Sequence, residues 1–396
     1  MARKANGVSR RNILKLTGGS LATASATGLA SAAPTDKVEV NVGFNSARGR
    51  AMTRSSADDV VREFNSIDAM TIRVPKRAAT ALEKNPNIRY VEENGTMEAL
   101  AQTTPWGVDR VDADVAHDNG DTGAGADIAI IDTGIDDDHP DLQSNVGAGK
   151  SFVSCGSGGF TGNCLFYGND NSCNDSWSDD NNHGTHCAGI ANGVDNDQGV
   201  VGVSTQATLH AVKVLDCAGS GTFSDIAAGV EYVADQGWDV ASMSLGGSSG
   251  SQALHDAIQY AYDAGVVLVA AAGNDGQCTD CVGYPAAYEE TVTVASSNSD
   301  DEQSSFSSQG PEVNIIAPGT DIYSTVPGGY DTYSGTSMAT PHVAGAAGQL
   351  IAQGYSARDA ESRLLDTAED LGLPSNEQGS GLLDVAAALG LDSSDN

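Results

Sequence analysis

Basic residues are scarce over most of this 396-residue chain. Positions 101 to 396 hold five lysines and arginines against 43 aspartates and glutamates, whereas positions 1 to 100 hold 15 basic and 10 acidic residues. A surface this acidic repels nucleic acid and anionic membranes, which excludes both as partners. Like charges also repel one another unless salt screens them, so the composition predicts a halophilic protein. An ordinary acidic secreted protein, kept soluble by its charge, is the alternative.

The apolar stretch near the N-terminus is too short and too mild to span a membrane. It follows Ser9-Arg10-Arg11 and ends at Ala30-Ser31-Ala32. Paired arginines, a mildly apolar run and a small-residue cleavage site are together typical of a twin-arginine export signal. We therefore expect residues 1 to 33 to be a signal peptide and the protein to be secreted without a membrane anchor.

Cysteine is also infrequent, with seven in the chain. In an exported protein these can form disulfide bonds, and an odd number leaves at least one thiol unpaired. Cys278 and Cys281 have the Cys-x-x-Cys spacing found in redox and zinc sites. Because no second such pair is present, a disulfide that closes a loop is favoured there.

The pattern of apolar residues changes near residue 100. Residues 34 to 100 predict a small α+β unit, with strands at 38–44, 69–74 and 88–92 and helices around 57–64 and 76–84. Beyond it, short continuous apolar strands alternate with helices at 224–236 and 251–264. These strands lie at 128–131, 209–215, 240–245, 266–272 and 291–295. The pattern predicts an α/β fold with a doubly wound, mostly parallel sheet, whose ligands bind at the carboxyl ends of the strands.

Four polar residues at such strand and helix ends could together cleave a peptide bond, which requires a nucleophile, a base, a group that orients the base, and oxyanion donors. Asp132 directly follows a buried strand and could orient an imidazole. His183 opens an apolar helix and could be the base. Ser337 begins another helix, where free amides favour developing negative charge. Asn274 ends a strand and could donate to the oxyanion.

Three of these residues also have a simpler explanation. A serine at a helix start is often only a cap, and an asparagine after a strand often only forms a turn. His183 and His186 could bind a metal, but no glutamate follows at the spacing of zinc proteases. The catalytic interpretation is favoured because all four residue types occur together.

The motifs around these residues resemble the three signatures of the subtilases, the subtilisin-like serine proteases. They are Asp132-Thr133-Gly134, His183-Gly184-Thr185-His186 and Gly335-Thr336-Ser337-Met338-Ala339-Thr340-Pro341-His342. The resemblance covers about residues 101 to 390. Within the family, the acidity and the twin-arginine signal look most like the halolysins of halophilic archaea.

The resemblance implies a serine endopeptidase of broad specificity that forms an acyl-enzyme on Ser337. Its substrates would be proteins and peptides, with a preference for large apolar residues before the scissile bond. A catalytically silent binding protein of the same fold is the alternative. The implied substrate-binding residues are two edge segments and a pocket wall: Gly219, Ser220, Gly221, Ser244, Leu245 and Gly246, and Ala271, Ala272 and Gly273. Asp275, at the mouth of this pocket, should disfavour acidic side chains.

The family also implies maturation and a metal. Residues 34 to 100 resemble a ferredoxin-like inhibitory propeptide, and residues 101 to 396 the peptidase domain, with self-cleavage after Leu100. The mature enzyme would be a monomer. A structural Ca²⁺ would be held by oxygen atoms of residues that match the family's strong site: Gln102, Asp141, Val194, Asn196, Gln198 and Val200. Oxygen ligands are those that calcium requires.

Overall fold

The structure is a computed structural model that describes residues 37–94, 102–156, 173–276 and 278–393. The chain forms two compact units, which divide between Ala99 and Leu100. The predicted signal peptide, the expected cleavage point at Leu100 and Cys164 lie outside the described residues.

The N-terminal unit is an antiparallel sheet with two helices. Its sheet has the order β2-β3-β1-β4, and the chain order βαββαβ is that of ferredoxin-like folds. Alternate residues of the strands, among them Val42, Met70 and Ile72, are fully buried against the helices because side chains alternate between the two faces of a strand. The elements are β1 (Lys37–Phe44), α1 (Ala47–Ser56), β2 (Asp59–Glu63), β3 (Ala69–Pro75), α2 (Lys76–Glu83) and β4 (Ile88–Glu93).

One predicted element of this unit is wrong. The helix expected around residues 57–64 is instead strand β2, and helix α1 precedes it. Ser46 caps α1, since its side chain accepts a hydrogen bond from the Gly49 backbone N–H. The paired valines at the start of β2 favour a strand, and β2 pairs with β3 from Asp59 to Glu63.

The C-terminal unit is built on a seven-stranded sheet with every neighbouring pair parallel, in the order β11-β10-β9-β8-β5-β7-β6. The five predicted strands are all present, although β7 and β8 end two residues earlier than expected. Together with the helices, this sheet confirms the predicted α/β fold. The strands are β5 (Asp127–Asp132), β6 (Lys150–Ser151), β7 (Thr208–Lys213), β8 (Val240–Met243), β9 (Val267–Ala271), β10 (Val292–Ser297) and β11 (Ile315–Pro318).

Helices cover both faces of this sheet. Ile128 and Ile130 of β5 pack on one face with the helix that begins at His183, whereas Ala129 and Ile131 pack on the opposite face with the helix that follows β7. The helix that follows β5 and the helix that follows β7 therefore cover opposite faces of the sheet. A crevice opens between them at the carboxyl ends of these two neighbouring strands. The helices are α3 (Trp106–Arg110), α4 (Ala113–Asp118), α5 (His183–Asn192), α6 (Phe223–Gln236), α7 (Gln252–Asp263), α8 (Thr336–Ala352), α9 (Ala357–Asp366), α10 (Ser375–Gln378) and α11 (Val385–Leu389).

A two-stranded antiparallel hairpin, β12 (Ile322–Val326) with β13 (Gly329–Tyr333), precedes α8 and packs on α5. Disulfide bonds join Cys155 to Cys173 and Cys278 to Cys281, so the loop closure expected at the latter pair is present. In the part of the chain that the structure describes, no helix is both long and apolar enough to cross a membrane.

Candidate active site

Asp132 is the last residue of β5 and is fully buried. Its carbonyl oxygen accepts hydrogen bonds from the backbone N–H groups of Val214 and Leu215, which hold the strand end against the chain that follows β7. Its carboxylate Oδ1 accepts from the Thr133 backbone N–H at 2.7 Å. The chain after β7 therefore fixes the backbone of Asp132, and the Thr133 N–H fixes the orientation of its carboxylate.

His183 is the first residue of α5, and its side chain reaches Asp132. Ring Nδ1 lies 2.8 Å from Oδ1 and 3.0 Å from Oδ2 of the carboxylate, which only accepts, so Nδ1 carries the proton. Burial alone would lower the pKa of His183, but the charge of Asp132 and this hydrogen bond outweigh it and raise the pKa above its usual value. The side chain is 27% exposed. The ring is thus a tethered base whose tautomer is fixed by a buried acid.

A buried network joins the Asp132 loop to the start of α5. Thr133 Oγ1 donates to Asp179 Oδ1 at 2.8 Å and accepts from the Gly184 backbone N–H at 2.9 Å. The other oxygen of Asp179 accepts from both the backbone N–H and the hydroxyl of Thr185. Asp179 was not expected from the sequence. No local signal marks it, because Asn182 and not Asp179 is the N-cap of α5.

Ser337 is the second residue of α8, a helix buried along almost its whole length. Its hydroxyl donates to the Ser244 carbonyl oxygen at 3.3 Å, and the Ser244 hydroxyl donates back to the Ser337 carbonyl at 2.8 Å. No described residue accepts from the Ser337 backbone N–H. The hydroxyl is therefore held on the Ser244 carbonyl oxygen rather than on the His183 ring. Hydrogen bonds between catalytic groups commonly shorten only when substrate binds.

Asn274 follows β9 by three residues, after a turn in which Gly273 has φ +115°, a conformation that favours glycine. Its side-chain oxygen accepts from the backbone N–H and the hydroxyl of Thr336, at 2.9 and 3.1 Å. Because the oxygen is occupied, the side-chain NH₂ is the group left to donate. This nitrogen and the Ser337 amide nitrogen both lie within 4 Å of the position that a Cβ on Gly335 would occupy, so two N–H donors lie close together beside Ser337.

Two cavities meet at the segment after β8. One, of about 650 Å³, is lined by His183 and the other, of about 710 Å³, by Ser337 and Asn274. Both are lined by Ser244, Leu245 and Gly246. Among the described residues, Leu245 and Gly246 make no backbone hydrogen bond to other backbone groups, so they can pair with an extended chain.

Most of the expected substrate-binding residues line these cavities. Gly219, Ser220 and Gly221 line the cavity beside His183, and Ala271 and Gly273 line the one beside Ser337. Ala272 does not line either cavity, since its side chain is fully buried in a core cluster. Its carbonyl oxygen accepts from Gly283 N–H, a residue of the cavity wall, so its contribution is to the backbone frame.

The cavity beside Ser337 is acidic. It is lined by the carboxylates of Asp275, Asp280 and Glu312 and by no basic residue. None of these three carboxylates has a hydrogen bond or ion pair to another described residue, and Glu312 Oε2 is buried without a partner. Of the three, only Asp275 was expected from the sequence.

The cysteine beside Asp132 and His183, Cys187, is unreactive. Cys187 is buried and free, and its thiol donates to the Ser337 carbonyl oxygen at 3.4 Å. Burial raises the pKa of this thiol well above its usual value, so it stays protonated and is a poor nucleophile or metal ligand. Burial likewise lowers the pKa of His186 to about 4, which keeps its ring neutral.

The residues expected to hold calcium lie together. Gln102 Nε2 donates to the carbonyl oxygens of Val194 and Val200, at 2.7 and 3.2 Å. Asn196 Nδ2 donates to Asp141 Oδ1 at 3.1 Å, and Val200 N–H to Asp141 Oδ2 at 2.8 Å. Two carbonyls, a buried carboxylate and two side-chain amides thus converge at one place.

Gln198 belongs to the same set, since its backbone N–H donates to Asn196 Oδ1 at 2.8 Å. Rotating the two side-chain amides would present an oxygen in place of each NH₂. The chemistry of this donor set fits calcium, which takes carboxylate and carbonyl oxygens and no nitrogen.

A parallel α/β sheet whose crevice holds an acid–imidazole pair beside a serine at a helix N-terminus defines a hydrolase of the serine type. Comparison with known proteins agrees. The model of the subtilase family, Peptidase_S8, matches residues 123–381. The chain is 40% identical to subtilisin E of Bacillus subtilis over 334 residues, 83% of each chain. It is 37% identical to an alkaline protease of Shouchella clausii over 380 residues, 91% of this chain and 94% of the relative.

The chain belongs to the subtilase family and is a serine endopeptidase, as its motifs predicted. The relatives named here are bacterial enzymes, so they do not bear on the expected likeness to archaeal halolysins.

Proposed function

We propose that Ser337 attacks the carbonyl carbon of the scissile peptide while His183 takes the hydroxyl proton through Nε2. Asp132 holds the ring and stabilises its cation, and His183 then returns the proton to the leaving amine. The Asn274 side-chain NH₂ and the Ser337 amide donate to the oxyanion. Water deacylates the ester by the same route in reverse. The observation that carries this proposal is the 2.8 Å contact between His183 Nδ1 and the buried Asp132 carboxylate.

Ser337→Ala tests the nucleophile. We expect it to abolish covalent labelling by a fluorophosphonate and to reduce peptide hydrolysis by about 10⁶-fold, as in other enzymes that lose this group. Cys187→Ala is the matched control, because its thiol lies beside Ser337 but stays protonated; it should label normally. Labelling that persists in Ser337→Ala would show that another residue is the nucleophile.

The substrates are proposed to be proteins and peptides of broad sequence, bound as an added strand. Unpaired backbone groups at Leu245 and Gly246 support this mode, which reads little sequence. The apolar wall of Ala271 and Val282 supports a preference for large apolar side chains before the scissile bond. The carboxylate of Asp275 in the same cavity supports discrimination against acidic side chains there.

We further propose that the enzyme is made as a precursor and exported. Residues 1 to 33 would direct twin-arginine export, and residues 34 to 100 would inhibit the peptidase until cleavage after Leu100. The division of the chain between Ala99 and Leu100 and the separate core of the N-terminal unit support an independent leader domain. The secreted product is proposed to be a monomer.

Calcium is proposed as a structural ion held by Gln102, Asp141, Asn196 and the carbonyls of Val194 and Val200, with Gln198 beside them. When bound, it would neutralise the Asp141 carboxylate, which is fully buried, and tie the start of the C-terminal unit to the loop after α5. The convergence of these groups supports the site.

Salt dependence is proposed from charge. The presence of 43 acidic but only five basic residues beyond residue 100 supports a molecule that needs dissolved cations to limit its self-repulsion. This acidity and the paired arginines at Arg10 and Arg11 are also what support a likeness to halolysins.

A further inference from the structure

Lys213 is a fully buried lysine that the proposed reaction does not use. It is the last residue of β7, with no exposed surface, and it lies directly opposite Asp132 in the parallel pairing of β5 with β7. It is also one of only five basic residues beyond position 100. A buried ammonium is costly unless all its donors are used.

All three donors of Lys213 are used, on three different segments of the site. Nζ donates to the Thr133 carbonyl oxygen, to the Leu215 carbonyl oxygen at 3.0 Å and to Asp180 Oδ1 at 2.6 Å. Thr133 directly follows Asp132. Asp180 lies three residues before His183, and Leu215 lines the cavity beside His183. One ammonium therefore joins the loop after Asp132, the loop before His183 and the wall of the cavity beside His183.

The contact with Thr133 is the informative one. Thr133 also donates its hydroxyl to Asp179 and its amide to the Asp132 carboxylate. Lys213 thus holds the carbonyl oxygen of the same residue whose backbone N–H orients the Asp132 carboxylate. Buried ion pairs often stabilise a fold little compared with apolar replacements, so the pairing with Asp180 is by itself weak evidence that Lys213 is there for stability.

We propose that Lys213 is a positioning residue for the reaction, which holds the Thr133 and Leu215 carbonyls so that Asp132 and His183 stay aligned with the bound peptide. This inference rests on the catalytic roles proposed for Asp132, His183 and Ser337. Lys213 acts through them and does not touch the substrate. Since misplacement by about 1 Å can reduce turnover about 100-fold, loss of this tether should be visible in kcat.

The test separates positioning from stability with a double variant. Lys213→Met alone leaves Asp180 buried without its partner, which destabilises the fold whatever the role of Lys213. Adding Asp180→Asn removes that unpaired charge while keeping an acceptor for the Gly156 N–H. We therefore expect Lys213→Met/Asp180→Asn to regain a melting temperature near that of the parent but not its activity.

The assays are calorimetry and peptide hydrolysis in high salt and calcium, with each enzyme counted by active-site titration. The full chain is expressed and matured with a tagged parent enzyme that is then removed. The expected result is a kcat reduced about 10- to 100-fold with KM within about threefold. Lys213→Gln/Asp180→Asn keeps one amide donor at this position and should recover part of kcat. If the methionine variant does not fold, the same comparison of kcat and melting temperature is made with this glutamine variant. Arg358→Met/Glu361→Gln removes an ion pair on α9 and should leave kcat unchanged.

Recovery of both stability and kcat by the double variants would overturn the inference, since Lys213 would then be only half of a structural ion pair. Ser337→Ala, assayed in parallel, reports on the proposed mechanism separately. If Ser337→Ala still hydrolyses peptide, the catalytic assignment is wrong; if it is inactive while the double variants are fully active, only the role of Lys213 is wrong.

Discussion

Replacing Asp132 with asparagine tests the electrostatic part of the mechanism with almost no change of shape. Oδ1 accepts from both Thr133 N–H and His183 Nδ1, so the asparagine oxygen should take that place and keep the fold. The NH₂ then replaces Oδ2, 3.0 Å from Nδ1, and the negative charge is lost. An acid of this kind stabilises the imidazolium that forms in the transition state, and its loss reduces kcat by about 10⁴-fold in a comparable triad, which corresponds to about 5 kcal/mol.

The same substitution should shift the pH dependence of activity in a definite direction. Activity requires neutral His183, and Asp132 raises the pKa of that ring. The parent therefore loses activity as the pH falls through this raised pKa, and the variant, with a lower pKa, should lose it only at lower pH. Steady-state kcat and KM across the acid range, with active-site titration, measure both effects. A kcat within tenfold of the parent, or an acid limb that moves to higher pH, would refute the reasoning.

Three further outcomes are expected, two from the geometry of the sites and one from the composition. Asn274→Ala should lower kcat by about 10²- to 10³-fold with little change in KM, because its NH₂ donates to the oxyanion; equal losses in a Thr336→Val control would instead indicate a collapsed loop. Chelation of calcium should lower the melting temperature of the parent by several degrees but not that of Asp141→Asn, and identical shifts in both would remove the ion from this site. Lowering NaCl from molar to about 0.1 M, with calcium held constant, should lower the melting temperature; full stability in dilute buffer would contradict the halophilic proposal.

Much of the C-terminal unit could be predicted because its signals are local. Continuous apolar runs predicted the five central strands, since a strand buried on both faces has no polar alternation. The short strand β6 was missed because a two-residue run carries too little pattern, and hairpin β12–β13 because its outer strand is polar and exposed. Strand β11 was also missed; it ends in a proline, which is atypical of a strand in the middle of a sheet. The helix expected at 57–64 was wrong because long-range pairing decided that segment. Ser46 caps a helix that ends before it, and the valines of β2 pair with β3.

The sequence by itself determined the chemistry of the chain. Asp132, His183, Asn274 and Ser337 stand in motifs whose local geometry, a strand end or a helix start, already exposes the right atoms at one edge of a parallel sheet. The large acidic excess, too, depends on composition alone.

Only the tertiary structure decided which groups hold that site together. Lys213 and Asp179 lie in segments with no catalytic signature, and their importance comes from neighbours 80 and 46 residues away, Thr133 in both cases. The inward burial of Ala272 and the approach of Glu312 to the Ser337 cavity were equally invisible in the chain. The physical reason is that burial and hydrogen-bond partnership are properties of folded neighbours, which adjacent residues do not specify.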